Sequence, residues 1–328
     1  MRQVLLTGAG GHVGRGLAHA LAGRLARGEI ATLTLLDLAC DGLPSGAGIR
    51  HLAGGLGDAA LRRQALTPPP DTVFHLAGIT SRQAEQDFAL GLRVNLGHTL
   101  ALCEDLRASG GPPPVFVFTS SIGVYGVPLP PAIDDDTAAC PTLSYGTHKR
   151  MVELLLADYS RRGWLDARSL RLPSVVARPA AAQGALSSFA SDLLREPLAG
   201  RDYTCPVGAE AQVWWLSLPA CVALLLQAAA LPAAALPRGR AWNLPALRAS
   251  VGEVVAALGR QWGADVAARV RHAPDPVLQA QFARWPPLSC ATATRLGMQH
   301  DGDLHTLLVR AQQDPASLFE PLAPSLQP

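Results

Sequence analysis

Two residues of the run SYGTHKR, Tyr145 and Lys149, stand four positions apart. Lys149 is the only lysine in the chain, whereas arginine occurs throughout it. Side chains at i and i+4 of a helix share one face, with Cβ atoms about 5–6 Å apart. A lysine charge about 4 Å from a phenol contributes about 4 kcal/mol at an effective dielectric of about 20, equivalent to about three pK units before desolvation of the phenol opposes it. We therefore expect Lys149 to lower the pKa of Tyr145 from about 10 toward about 7, where a general base works best.

A further candidate for chemistry lies at the end of a predicted strand, in the run TSSIGVYG. Thr119, Ser120 and Ser121 carry hydroxyl groups at the carboxyl edge, where open parallel sheets bind ligands. Small hydroxyl residues at this place are also common in plain turns. Together with Tyr145 and Lys149, which follow later in the chain, they indicate a proton-transfer site.

The run LLTGAGGHVGRG indicates a site for a dinucleotide. Gly8, Gly11 and Gly14 follow a predicted strand and open a predicted helix, with His12 and Val13 between the last two. Gly8 permits the tight turn, Gly11 lets the backbone approach a pyrophosphate, and Gly14 lets the helix pack closely on the strand. The helix N-terminus presents amide donors and a positive dipole end to the phosphates. A glycine-rich turn alone is a weak signal, but the strand before it and the helix after it favour this interpretation.

Asp37 ends the second predicted strand, where a carboxylate accepts hydrogen bonds from the adenosine ribose. Ala39 and Cys40 follow, with no arginine or lysine to neutralise a 2′-phosphate, so the sequence favours NAD over NADP. A plain turn residue is the other interpretation of Asp37. Asp58, after the third predicted strand, is a candidate for binding the adenine amine, although a helix N-cap explains it equally well.

Strand and helix patterns alternate through the first half of the chain, as in a parallel sheet covered on both faces. The predicted strands are Gln3–Thr7, Thr32–Asp37, Ile49–Ala53, Thr72–Leu76, Val115–Ser120 and Ala167–Leu172. The predicted helices between them are Gly11–Arg27, Asp58–Ala65, Gln83–Ser109 and Thr142–Arg162. Later elements are predicted at Pro219–Ala230, Arg240–Leu244 and Val251–Trp262, of which the second is a strand.

We therefore expect an α/β fold with a doubly wound parallel sheet of the Rossmann type. Residues 1–178 would form the NAD-binding domain, with returning elements from the C-terminal half. Residues 179–328 would form a smaller, C-terminal substrate-binding lobe.

The composition of the chain narrows its possible functions. With 328 residues, 48% of them hydrophobic, the chain can bury a large core. A net charge of +2 without a basic stripe argues against a nucleic-acid partner, and no apolar run reaches membrane-spanning length. The six cysteines are scattered without a CxxC pair, so we expect free thiols, no metal site and a cytoplasmic protein.

The chain resembles the extended short-chain dehydrogenase/reductases, the NAD-dependent epimerase/dehydratase family, in the runs GAGGHVG, VFHLAG, RVNLGHT, TSSIGVYG and SYGTHK. By that resemblance Ser121 holds the reacting group of the substrate, Tyr145 is the acid/base, and Lys149 binds the nicotinamide ribose. The further cofactor contacts that it implies are Leu76, Ala77, Gly78, Asn95, Pro173, Ser174 and Val175. It also implies a homodimer that pairs through the two long predicted helices.

Other segments resemble a narrower group, the bacterial D-erythronate dehydrogenases, which oxidise the C2 hydroxyl of a four-carbon sugar acid with NAD. They include SRQAEQDFALGLRVNLGHT, VPLPPAIDDDT and SSFASDLLREPLAG. Nucleotide-sugar relatives commonly hold the diphosphate with an arginine where this chain has Gln212, so a diphosphate would be poorly neutralised here. Arg178 is our candidate for clamping a substrate carboxylate, with a surface ion pair as the other interpretation. Candidates for binding the substrate hydroxyls are Thr80, Ser81 and Ser187.

Three functions follow as hypotheses. The first is an NAD-dependent dehydrogenase of a small sugar acid, with D-erythronate oxidised to its 2-oxo acid. The second is an epimerase or dehydratase acting on a sugar or nucleotide-sugar, which uses the same oxidation transiently and keeps its NAD. The third is a non-catalytic NAD-sensing protein on the same fold.

Overall fold

A computed structural model of the chain describes residues 1–178, 188–282 and 284–314. The strands of this described part are, in chain order, β1 (Gln3–Thr7), β2 (Thr32–Asp37), β3 (Ile49–Ala53), β4 (Thr72–His75), β5 (Val115–Ser121), β6 (Asp166–Leu172), β7 (Ser174–Val176), β8 (Tyr203–Cys205), β9 (Gln212–Ser217), β10 (Ala241–Asn243), β11 (Leu247–Ser250) and β12 (Val270–His272). All six strands predicted for the first half are present, with ends that differ by at most one residue.

The α-helices of the described residues are α1 (His12–Ala26), α2 (Ala59–Ala65), α3 (Ser81–Gln86), α4 (Phe88–Gly91), α5 (Thr99–Ala108), α6 (Ser144–Arg161), α7 (Phe189–Leu198), α8 (Leu218–Ala230), α9 (Val251–Trp262), α10 (Ala264–Ala268), α11 (Pro276–Phe282), α12 (Ala291–Arg295) and α13 (Leu304–Ala311). A π-helical segment, Leu92–His98, joins α4 to α5. Short 3₁₀ turns follow β5 at Ile122–Val124 and α8 at Ala233–Ala235.

Seven strands form one parallel sheet in the order β10-β6-β5-β4-β1-β2-β3. The chain builds outward from β1 to β3, then returns to β4 on the other side of β1, so the strand order reverses between β1 and β4. A crevice opens at such a switch point beyond the carboxyl ends of the strands, and ligands bind there in doubly wound sheets. The prediction of a doubly wound α/β fold is confirmed.

Helices cover both faces of the sheet because its buried strands present apolar side chains alternately to each side. Leu6 and Leu33 pack on one face with Leu17 of α1. Phe116 packs on the other face with Val152 of α6, in a cluster that also includes Leu102 of α5. This second cluster holds α6 against β5, the two elements that carry the candidate catalytic residues.

The prediction of one uninterrupted helix over Gln83–Ser109 is wrong. The helix breaks at Asp87, whose backbone leaves helical geometry with φ −134° and ψ 89°. The Asp87 side chain then accepts a 2.8 Å hydrogen bond from the Leu90 amide and begins α4. An aspartate that caps a new helix satisfies amides that a continuous helix would satisfy with its own carbonyls, so the break costs little.

A second, three-stranded sheet of order β11-β9-β7 lies in the C-terminal half of the chain. Its middle strand, β9, buries Trp214 and Trp215 completely, because one side chain points to each face. This strand was not predicted from the sequence. The predicted strand Arg240–Leu244 is present as β10 and returns to the large sheet beside β6. The division into domains at residue 178 stays a prediction.

Candidate active site

The glycine-rich turn after β1 forms one wall of a cleft at the carboxyl edge of the large sheet. The cleft has a volume of about 300 Å³. Of the residues predicted to bind the cofactor, those that line it are Gly8, Gly11, His12, Val13, Gly14, Leu76, Gly78, Tyr145, Lys149, Pro173 and Val175. Most of the predicted cofactor set therefore converges on one cavity, which we call the large cleft.

Two glycines of this turn have no room for a side chain. A Cβ on Gly14 would lie 1.9 Å from the Gly8 carbonyl oxygen, and a Cβ on Gly8 would lie 2.5 Å from the Ala77 amide nitrogen. Gly8 also has φ +75°, a backbone conformation that other residues rarely adopt. These close approaches bring the start of α1 to the edge of the cleft. His12, the first residue of that helix, has a buried Nε2 atom without a hydrogen-bond partner in the described structure.

The Asp37 carboxylate, at the end of β2, hydrogen-bonds to the glycine-rich turn. Asp37 accepts one hydrogen bond from the Gly10 amide, at 2.7 Å, and one from the Leu38 amide. A carboxylate offers about four acceptor positions, which leaves capacity for ribose hydroxyls. Sequence reasoning missed Arg15, because its contact with this region crosses from α1 to the segment after β2. Its guanidinium donates to the Gly10 and Asp41 carbonyl oxygens.

Ser121, Tyr145 and Lys149 meet at the centre of the large cleft. The Ser121 side chain hydrogen-bonds to the Tyr145 phenol, and both side chains lie close to Gly123. The Lys149 Nζ atom lies 5.6 Å from the centroid of the Tyr145 ring and 4.6 Å from that of Phe118. It donates a 2.8 Å hydrogen bond to the Thr119 carbonyl oxygen. The helix α6 therefore places the phenol and the ammonium on the face that meets the end of β5.

The expectation that Lys149 lowers the pKa of Tyr145 to about 7 is wrong for this arrangement. Burial raises the pKa of the phenol, while the charge of Arg178 and the hydrogen bond with Ser121 act in the lowering direction. The Lys149 ammonium is directed to the Thr119 carbonyl, and its charge does not offset the effect of burial on the phenol. Burial lowers the pKa of Lys149 itself to about 8, although the charge of Glu153 raises it.

A smaller pocket of about 110 Å³ adjoins the large cleft and shares Ser121, Tyr145 and Arg178 with it. Hydroxyl groups of Thr80 and Ser81 line it as well. Its outer wall is aromatic, formed by residues that sequence reasoning did not identify: Phe189, Phe282 and Trp285. Arg178 is the only charged side chain among the described residues that line this pocket.

The remaining predicted residues lie around the cleft or outside the residues that the structure describes. Asn95 is buried and holds the segment after β4: its Oδ1 atom accepts a 2.8 Å bond from the Ile79 amide. Asp58 caps α2 by accepting from the amides of Ala60 and Leu61, as the N-cap interpretation predicts. Ser187 lies outside the described residues.

The described residues contain no group of three His, Cys, Asp or Glu side chains that could hold a metal ion. The six cysteines are free thiols. Within the same described ranges, no helix is both long and apolar enough to cross a membrane.

The model of the NAD dependent epimerase/dehydratase family matches residues 4–244. The chain belongs to this family. Among family relatives, the chain is similar to the D-erythronate dehydrogenase of Cupriavidus necator, with 42% identity over 96% of this chain and 99% of that protein. The D-erythronate dehydrogenase of Haemophilus influenzae is 34% identical over 93% of this chain and 97% of its own length.

The fold is also similar to the crystal structure of the nucleoside-diphosphate-sugar epimerase from Agrobacterium tumefaciens. The two superpose with a TM-score of 0.87 at 34% identity, over 94% of this chain and 92% of that one. The predictions of the family and of an NAD-dependent oxidoreductase are confirmed by these relatives.

Proposed function

We propose that this protein oxidises the C2 hydroxyl of a small sugar acid with NAD, and that D-erythronate is its substrate. The observation that carries the proposal is the chemistry of the small pocket. One cation, Arg178, lies beside the candidate acid/base Tyr145, and small hydroxyls surround them in a volume of about 110 Å³. One guanidinium matches one carboxylate, and hydroxyl groups match the hydroxyls of a sugar acid. The two D-erythronate dehydrogenase relatives support the choice of acid.

In this proposal Arg178 holds the substrate carboxylate, and Ser121 donates a hydrogen bond to the C2 oxygen. Tyr145, as phenolate, removes the proton of the C2 hydroxyl while the C2 hydrogen leaves as hydride, so the C2–O bond becomes a carbonyl. Bound oxidised NAD supplies the hydride acceptor. Arg178 and Ser121 favour the phenolate, and the positive charge of an oxidised nicotinamide would act in the same direction. The products are the 2-oxo acid, reduced cofactor and one proton.

NAD rather than NADP is the cofactor that we propose, because a carboxylate at the end of β2, Asp37, would accept hydrogen bonds from ribose hydroxyls and would repel a 2′-phosphate. Arg15 is close by, but its guanidinium is engaged with the Gly10 and Asp41 carbonyl oxygens. We also propose a cytoplasmic location, since six unpaired thiols suit a reducing compartment.

A nucleotide-sugar fits the substrate lobe poorly. Its diphosphate would need cations, yet Arg195 pairs with Asp192 and Glu196, and Arg201 pairs with Glu196. The small pocket is also well below the roughly 300–1,000 Å³ that encloses larger organic ligands. Gln212 is not among the described residues that line it. These observations argue against the epimerase hypothesis for nucleotide-sugars.

The first test is a substrate panel. The purified protein is incubated with NAD and either D-erythronate, its stereoisomers or nucleotide-sugars, and the reduced cofactor is followed by absorbance. We expect reduced cofactor to accumulate in proportion to D-erythronate consumed. Tyr145→Phe should lose at least about 100-fold in kcat, because it removes the general base, whereas Tyr203→Phe is a matched control in the substrate lobe.

Three results would contradict the proposal or its choice of base. Conversion of a sugar without accumulation of reduced cofactor indicates the epimerase. Binding of NAD without turnover of any substrate in the panel indicates the cofactor-sensing protein. Full activity of Tyr145→Phe would refute the assignment of the base.

A second prediction concerns the carboxylate clamp. Arg178→Gln should raise the KM for D-erythronate about 100-fold, within the loss expected when one partner of a buried charge pair is removed. It should also move the acidic limb of the rate profile to higher pH, because Arg178 acts to lower the pKa of Tyr145. Arg201→Gln, an exposed arginine of the same lobe, is the control. An unchanged KM for the acid would rule out the clamp.

We further propose that two copies pair through α6 and the segment from α4 to α5. Five large apolar side chains are exposed on these elements, at 39–59% for Phe88, Leu92, Leu100, Met151 and Leu154. Exposed apolar side chains that cluster on one surface are typical of an interface. The proposal agrees with the homodimer expected from the sequence.

Light scattering after size exclusion tests the pairing. The wild type should have twice the chain mass of 34.4 kDa, and Met151→Glu combined with Leu154→Glu should give the monomer mass. Val309→Glu changes an exposed valine of α13 and should leave the dimer intact. A monomeric wild type, or a variant that stays dimeric, would contradict this interface.

A further inference from the structure

A buried carboxylate, Glu153, lies one turn of α6 beyond Lys149 and two turns beyond Tyr145. The four-residue spacing places all three side chains on one face of the helix. Glu153 is 1% exposed, so its charge has no access to bulk water. The proposed reaction does not use this residue, and a carboxylate in that environment requires partners.

Four donors satisfy the Glu153 carboxylate. Arg171 binds it with two nitrogens, Nε to Oε1 and Nη2 to Oε2, each at 2.9 Å. Arg150 of α6 donates a further 2.9 Å bond to Oε2. The Ser120 hydroxyl donates to Oε1 at 2.6 Å. Ser120 on β5 and Arg171 on β6 are register partners in the parallel sheet. The Glu153 carboxylate of α6 therefore bridges these two neighbouring strands.

The third guanidinium nitrogen of Arg171 extends this hydrogen-bond network away from α6. Its Nη1 atom donates to the Tyr125 hydroxyl at 2.8 Å. That hydroxyl also lies 2.9 Å from Nδ2 of Asn243 on β10, the strand at the sheet edge. Tyr125 follows the short turn after Ser121, so the network fixes the chain on both sides of that serine.

Two contacts, four residues apart on α6, therefore hold the end of β5. Lys149 binds the Thr119 carbonyl, and Glu153 binds the Ser120 hydroxyl. Ser121, the candidate catalytic hydroxyl, is the next residue. Any shift of β5 along α6 would break both contacts and would separate Ser121 from Tyr145.

We propose that Glu153 and Arg171 are positioning residues whose buried ion pair holds the end of β5 in place against α6 and sets a negative charge beneath the Lys149 ammonium. The positioning of Ser121 rests on the proposed dehydrogenase function, whereas the effect on Lys149 does not. Neither residue contacts the substrate, and both act through their neighbours.

Few other charged or titratable groups surround Lys149 on the elements packed against it. The same helix presents Glu153 and Tyr145, β5 presents the Thr119 carbonyl and the Phe118 ring, and β4 presents His75. His75 is neutral, because burial first and Lys149 second lower its pKa to about 3. Glu153 is thus the charged group that opposes the effect of burial on Lys149 and raises its pKa.

The single lysine makes a direct test possible. Protein labelled with ¹³C at the lysine ε-carbon gives one side-chain signal, and its titration reports the pKa of Lys149 without any assay of activity. We expect about 8 in the wild type. Glu153→Gln should lower it by about one unit or more, as expected on removal of a neighbouring opposite charge. Asp166→Asn, which breaks the Arg168 and Arg240 pairs at the far end of β6, should leave it unchanged.

Kinetics of the holoenzyme test the positioning role. Glu153→Gln should lower kcat about 100-fold, the loss expected from a small misplacement of reacting groups. The basic limb of its rate profile should move to lower pH, because Lys149 loses its proton earlier. Asp166→Asn should retain the wild-type profile even if its unfolding midpoint falls.

A Lys149 pKa that is the same in Glu153→Gln and wild type would overturn the proposal. So would an active Glu153→Gln enzyme whose only change is a lower unfolding midpoint. If Glu153→Gln does not fold, the double variant with Arg171→Met leaves no unpaired buried charge and should show the same direction of change. If no sugar acid is oxidised, the proposed function fails, while the titration of Lys149 still decides the role of Glu153.

Discussion

The hydrogen bond from the Lys149 ammonium to the Thr119 carbonyl, at 2.8 Å, is the contact on which the candidate site depends. It joins α6, which carries Tyr145, to β5, which carries Ser121. The Lys149 ammonium is buried at the edge of the sheet, so water does not compete for this bond. The parallel sheet makes the arrangement possible, because it brings the ends of β1, β4 and β5 to one edge, beside the glycine-rich turn. The close packing of Gly14 on that turn completes the cavity.

Burying charge at this edge has a consequence for the chemistry. Burial opposes the ionised form of both Tyr145 and Lys149, so neither group has the pKa that its sequence motif alone suggests. Nearby charges oppose that effect from two directions. Arg178 acts on Tyr145 from the substrate side, and Glu153 acts on Lys149 from inside the protein. The ionisation of Tyr145 and Lys149 therefore depends on the charges of Arg178 and Glu153. In the proposed reaction, the substrate carboxylate would add one more charge to this set.

Much of the fold was predictable from the sequence, because glycine and proline residues bound short apolar runs whose length and alternation with helical patterns favour buried strands. The cofactor edge was predictable for the same reason, because strand ends in a doubly wound sheet meet at one place. The break at Asp87 was missed because an aspartate inside a helical pattern reveals its capping role only once the backbone turns. The strand β9 was missed because two adjacent tryptophans, buried on opposite faces, show no alternation.

The electrostatics of the site could not be predicted from spacing alone. The i, i+4 relation of Tyr145 and Lys149 places both on one face, but the direction of the ammonium depends on a carbonyl in another element. Arg15 and Glu153 were not recognised for the same reason, since their partners lie far away in the sequence. Arg178 was identified by residue type, and the structure adds that it lies beside Tyr145 at the junction of both cavities.

The most direct test of the proposed reaction follows the hydrogen at C2. The protein is mixed with NAD and D-erythronate that carries deuterium at C2, and the reduced cofactor and the acid are analysed by mass spectrometry. Oxidation at C2 predicts that the deuterium appears in the reduced nicotinamide, in an amount equal to the 2-oxo acid formed. Deuterium that stays in the acid, or reduced cofactor that forms without it, would contradict the account.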